Sequence, residues 1–81
     1  MAYAERTYSS ASGTEFALTN SDGNQIYFIK EDDISVYVNN VEWTNAASGT
    51  STYTISTDKT KVNLNSSVSG VTVLLQRITA I

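Results

Sequence analysis

The chain has 81 residues, with five Lys and Arg against eight Asp and Glu, and no His, Cys or Pro. A domain this small buries only roughly 60–65% of the surface its unfolded form exposes, so it usually leans on a disulfide, a metal or a partner. Lack of Cys removes disulfides and thiolate metal sites, and lack of His removes the commonest general base and metal ligand. What remains as a stabiliser is self-association or docking onto a larger body. Mild acidity without a basic cluster argues against nucleic acid binding through phosphates. No apolar run reaches membrane-spanning length, and no basic amphipathic face is present. The opening MAYAERTYSS lacks the apolar middle of a signal peptide, which points to a soluble protein made in a cytoplasm.

Ser, Thr and Asn exceed a third of the residues. Thr, Val, Ile and Tyr fill the patterned segments and suit a pleated surface better than a helix. No window carries apolar residues at i, i+3, i+4 and i+7, so the expectation is one all-β domain over residues 1–81. Tyr3 to Ser9 reads as a first strand, Ser10 to Gly13 as a turn, and Glu15 to Thr19 as a second strand with Phe16 and Leu18 on one face. Asn20 to Asn24 holds Asp22-Gly23, the densest turn chemistry in the chain. Ile26 to Ile29 is an apolar run too short for a helix, either a buried strand or an irregular plug. Lys30 to Asp33 is a charged corner.

The strongest local signal follows. Ile34, Val36 and Val38 alternate with Ser35, Tyr37 and Asn39, then Val41 and Trp43 alternate with Glu42 and Thr44. Asn39-Asn40 between them suits a primed hairpin turn, because Asn tolerates positive φ. Val41 and Trp43 are expected inward with Phe16, Phe28 and Tyr53. Asn45 to Ser51 is a loop, Thr52 to Ser56 a strand, Asp58-Lys59 a turn, and Lys61 to Leu64 a strand with Val62 and Leu64 inward. Asn65 to Gly70 reads as another turn, and Val71 to Ile78 as the last strand. About seven short, mainly antiparallel strands at roughly ten-residue spacing predict a small immunoglobulin-like sandwich. Thr79-Ala80-Ile81 is an abrupt apolar end, as of a domain cut from a longer polypeptide or covered by a partner.

Catalytic chemistry finds little support. Glu31-Asp32-Asp33 lacks the alternating oxygen ligands of a calcium loop and reads as a solvated corner. Carboxylate pairs such as Asp32 and Glu42 need a sugar-sized cleft between them. No serine has a base to activate it, so no catalytic, cofactor or metal residue is assigned and an enzyme is not expected. Tyr37 alternates away from Val36 and Val38. With Tyr3, Tyr8, Leu74 and Ile78 it forms either an exposed contact patch or a face covered internally. A carbohydrate platform of Trp43, Tyr37 and Tyr27 is an alternative, and it requires those rings to be coplanar and exposed.

The ordered segments FALT, YFIKEDDISVYVNNVEWT, YTIS, KVNL and SGVTVLLQRIT resemble the N-terminal, virion-anchoring domain of podophage tail fibres and tailspikes. The last segment carries Gly70, Val73, Arg77 and Thr79 in a Gly-x-x-Val-x-x-x-Arg-x-Thr pattern, and the resemblance runs from Phe16 to Thr79. It implies a structural domain that fixes a fibre to the virion tail as a homotrimer. Its partners would be the adaptor and nozzle proteins of the tail, with assembly in the host cytoplasm. A downstream shaft would recognise the receptor. Candidate interface residues are Tyr8, Glu31, Asp32, Asp33, Tyr37, Leu74, Arg77 and Ile78. Two features depart from the family: the Pro-containing step after the second strand is absent, and one Arg stands where relatives have two. A capsid decoration or small tail adaptor protein of the same fold is the nearest alternative.

Overall fold

A computed structural model describes residues 4–20, 22–28 and 30–78. Tyr3, Ile29 and the Thr79-Ala80-Ile81 end lie outside the described residues. The domain is all-β, with five strands: β1 (Ala4–Ala17), β2 (Ile34–Val38), β3 (Val41–Asn45), β4 (Thr52–Ile55) and β5 (Lys61–Arg77). A one-turn 3₁₀ helix, Glu31–Asp33, leads into β2.

The count differs from the expected seven for a physical reason. Two segments read as turns are bends inside continuous strands. Ser10 and Gly13 take positive φ of 52° and 103°, and the register of β1 against β5 shifts around them. These are bulges, which add a residue to one strand, raise its twist and bend it. Gly70, at φ 64°, does the same for β5, merging Lys61–Leu64 with the strand that follows. The bend in β1 is sharp. The Tyr8 hydroxyl donates to Ala17 O at 2.6 Å, although nine residues of straight strand would span about 30 Å. The Tyr8 ring packs 5.3 Å from that of Phe16.

β5 is the spine. Along one side it pairs with β1; on the other, its first half meets β4 (Tyr53 opposite Leu64) and its second half meets β2 (Val38 opposite Val73). β2 turns into β3, and β3 lies parallel to β4 at Thr44 and Asn45, which closes a ring of β5, β2, β3 and β4. Three of the four contacts round that ring are antiparallel. With straight strands, an odd number of reversals would return β5 antiparallel to itself. The bend of β5, together with the twist between neighbours, supplies the missing reversal.

The hairpin forms as its residues dictate. Asn39 and Asn40 both have positive φ, 51° and 69°, the signature of a type I′ turn. Ile34, Val36 and Val38 are buried, yet Val41 is 59% exposed and Trp43 only half-buried, so β3 contributes little to the core. The inward expectation is corrected for Val41, at the open N-terminal end of β3, while Trp43, opposite Val36, packs against the rim of the core. The fully buried side chains are Leu18, Ile26, Val36, Val62, Val73 and Leu75. Ile26 and Phe28 enter the core from an irregular segment, with Tyr27 between them 65% exposed. The run is a plug tied to β1's end by the bond from Ile26 N–H to Leu18 O. At the turn before β5, Asp58 accepts from the Ser56 and Thr60 hydroxyls, which hold its carboxyl below the ordinary carboxylate range.

Two outcomes are expected. Leu75→Ala, which empties a site at the crossing of β1, β5 and β2, lowers stability by about 2–5 kcal/mol in urea titration, enough to unfold much of a domain this small. A Cβ at Gly70 meets no atom within 4 Å, so Gly70→Ala costs only the left-handed backbone penalty, about 1 kcal/mol. Its urea midpoint falls with the slope unchanged.

Candidate functional site

The strand alternation sorts the sheet of β1, β5, β2 and β3 into two faces. Thr7, Leu74, Tyr37 and Glu42 form one cross-strand row on the outer face. Leu74 and Tyr37 stand directly opposite each other, both half-buried, so two of the expected patch residues do meet. Tyr8 does not join them. It points to the other face, where it packs on Phe16 beneath the Arg6 guanidinium, 4.8 Å from the ring centroid. Its expected outward role is corrected, because the bulge at Ser10 folds β1 over that ring.

The charged corner divides in the same way. Asp33 is buried, and its carboxylate accepts from Lys30 N–H at 3.1 Å while its carbonyl accepts from Ile78 N–H at 2.8 Å. It holds the corner together and is not a surface contact. Glu31 and Asp32 remain exposed, and Glu31 Oε1 accepts from the Asn45 amide at 2.8 Å. Ile78, 45% exposed, lies beside them at the end of β5. Arg77 faces inward instead. Its Nη1 donates to Tyr27 O at 3.1 Å, bracing the plug.

Glu31, Asp32, Ser35, Glu42, Trp43, Tyr53 and Ile78 line a concavity of about 470 Å³ between the 3₁₀ turn and the ends of β2, β3 and β4. Sequence reasoning placed Trp43 and Tyr53 in the core, where Tyr53 is buried and Trp43 packs at the rim, and weighed Glu42 only as a carboxylate partner of Asp32. They reach this groove only because β3 and β4 pair in parallel, a non-local contact that no period-two pattern announces. The Tyr53 phenol donates to Ile34 O at 3.2 Å, and its pKa is pushed up to about 12, first by burial and then by Glu42, Glu31 and Asp32. Three carboxylates therefore share one field. Among the described residues the one ion pair is Lys61 with Glu15, elsewhere, and no three carboxylates gather closely enough to hold a metal ion.

The carboxylates of the groove are solvated, and the hydroxyl-bearing Ser35, Thr44 and Tyr53 line it with them. Tyr37 and Trp43 lie on opposite faces of the sheet, so the three rings of the carbohydrate alternative do not form one platform. No helix among the described residues is long and apolar enough to cross a membrane. No family model matches the chain, and no curated protein sequence matches it.

The Tyr53 phenol has a pH consequence. Its folded value lies above the ordinary 10.0, so the folded state favours the neutral phenol. That stability is fully present below pH 10 and is lost as pH rises towards about 12. Urea midpoints measured across this window are expected to fall for the native chain and to fall less for Tyr53→Phe. Absorbance titration of Tyr53→Phe is expected to lose the component that the native chain shows near pH 12.

Proposed function

We propose that this chain is a structural, non-enzymatic anchoring domain of a bacteriophage tail fibre. It works as a homotrimer on the virion tail, held by the adaptor and nozzle proteins. The ordered run of motifs from Phe16 to Thr79 supports the reading. The observation that carries it is the grouping of Glu31, Asp32 and Ile78 around one groove, with Tyr37 and Leu74 on the adjoining outer face. A chain with an acidic, partly apolar surface and no residue set for catalysis is suited to holding a partner. On this reading the fold is an immunoglobulin-like sandwich in which β1 and β5 each serve both layers. Counted by their straight halves, the five strands make seven segments.

The docking face would use Glu31, Asp32, Ile78, Tyr37 and Leu74, while Tyr8, Asp33 and Arg77 support it from within. Charge at the groove makes the contact salt-sensitive. Size-exclusion chromatography with light scattering is expected to give three chain masses, and cross-linking in intact particles to join the domain to tail proteins. Glu31→Lys with Asp32→Lys is expected to weaken tail attachment at least tenfold while urea stability stays within about 0.5 kcal/mol, as for exposed positions. Cryo-electron microscopy that places the domain on the capsid shell would overturn the tail reading.

A further inference from the structure

The sheet of β1, β5, β2 and β3 ends in two strands with open sides. Among the described residues β1 pairs only with β5, and β3 meets β4 only at Thr44 and Asn45. Val41–Trp43 therefore has no strand neighbour on that side among the described residues. Free strand edges are ready templates for another strand, and strand addition is a common route to recognition. We propose that the two edges bind each other between copies: Arg6–Tyr8 of one chain adds beside Val41–Trp43 of the next, head to tail, and the contacts close into a ring. This rests on the self-association in the reading above and names the surface that performs it.

Strand direction allows it. Every contact across these four strands is antiparallel, so β1 and β3 run opposite ways. Rotation about an axis along the strands preserves direction, and the arriving β1 meets β3 antiparallel. Such a heterologous contact generates a closed ring when the rotation closes. Register follows from the same rotation. One row across the chain is Tyr8, Val73, Val38 and Val41; the next is Thr7, Leu74, Tyr37 and Glu42; the third is Arg6, Leu75, Val36 and Trp43. Rotation without translation continues each row into the neighbour. It sets Tyr8 beside Val41, Thr7 beside Glu42, and Arg6 beside Trp43.

The backbone groups match in that register. Thr44 N–H donates away from β2, to Ser51 O, and alternation gives Glu42, two residues earlier, the same outward direction. On β5, Thr72 O accepts from Asn39 N–H of β2. Val73 therefore faces β1, Tyr8 faces back to β5, and Thr7 points its N–H and C=O outward. Thr7 and Glu42 are thus a pair able to exchange both backbone bonds.

Side chains agree. Val41, 59% exposed, comes beside Tyr8. Arg6, whose guanidinium lies over Tyr8 and donates to the Thr19 hydroxyl and Asn20 O in its own chain, brings its apolar stem level with the half-buried Trp43. No like charges stand directly opposite; the one like-charge approach is the diagonal of Glu5 to Glu42 on the outer face. Two-fold pairing of β1 about Arg6 or Glu5, or of β3 about Glu42, sets like charges directly opposite. Pairing of β1 on itself about Thr7 does not, and the Thr7→Cys single variant below separates that arrangement from the ring.

The chain has no Cys, so Thr7→Cys combined with Glu42→Cys is a clean trap. Within one chain these positions sit three strand spacings apart, about 14 Å along the sheet, beyond disulfide reach. Oxidation with copper–phenanthroline is expected to give, on non-reducing gels, a ladder ending at a covalent ring. Either single variant stays uncrosslinked, and adding Val41→Lys, at a site open to solvent in the lone chain, lowers the cross-linked fraction about tenfold. An assembly in light scattering without the double-variant cross-link overturns the edge contact and leaves self-association standing. A dimer from Thr7→Cys alone overturns it in favour of two-fold pairing. Monomers at every concentration overturn both readings.

Discussion

The structure depends on one strand being shared. β5 is flanked along its length by β1 and, on its other side, by β4 and then β2. The buried residues of both its halves, Val62 and Leu64 and then Val73 and Leu75, look into one core. A straight strand of this length would run past a core so small. Bending lets it line two walls, and the bulges at Ser10 and Gly13 let β1 bend with it. The hydrogen bond from Tyr8 to Ala17 O and the packing of Tyr8 on Phe16 tie that bend from inside.

Closure of the ring has consequences at the flanks. The parallel contact of β3 with β4 is short, so it draws Tyr53 and Trp43 together at one end and leaves Val41–Trp43 unpaired at the other. An edge strand left open is ordinarily an aggregation hazard. Here Arg6 and Glu5 on β1 and Glu42 on β3 place charge at both open edges, which disfavours indiscriminate pairing.

The electrostatics of the groove follow from the same geometry. Glu31 and Asp32 come from the 3₁₀ turn and Glu42 from β3, and none of them has an ion-pair partner among the described residues. Asp33 differs from its neighbours because its carboxylate is turned inward to cap the corner. One acidic run thus separates into a structural member and two solvated ones, and only the solvated ones are available to a partner.

Local chemistry settled much in advance. The Asn39-Asn40 turn, the buried alternation of Ile34, Val36 and Val38, and the inward Phe16, Tyr53, Val62 and Leu64 were legible because each rests on neighbours one or two residues away. Bends were not. Ser10 to Gly13 and Asn65 to Gly70 have turn composition, and composition cannot distinguish a chain reversal from a bulge, since both need a residue at positive φ. Only pairing to the opposite strand decides between them. The same limit applies to the site. Which face Tyr37, Leu74 and Trp43 occupy was set by period two, but period two also buried Val41 and gave Tyr8 no fixed side. Those positions were decided by where the ring closes and where β1 folds over, which are long-range contacts between residues far apart in the chain.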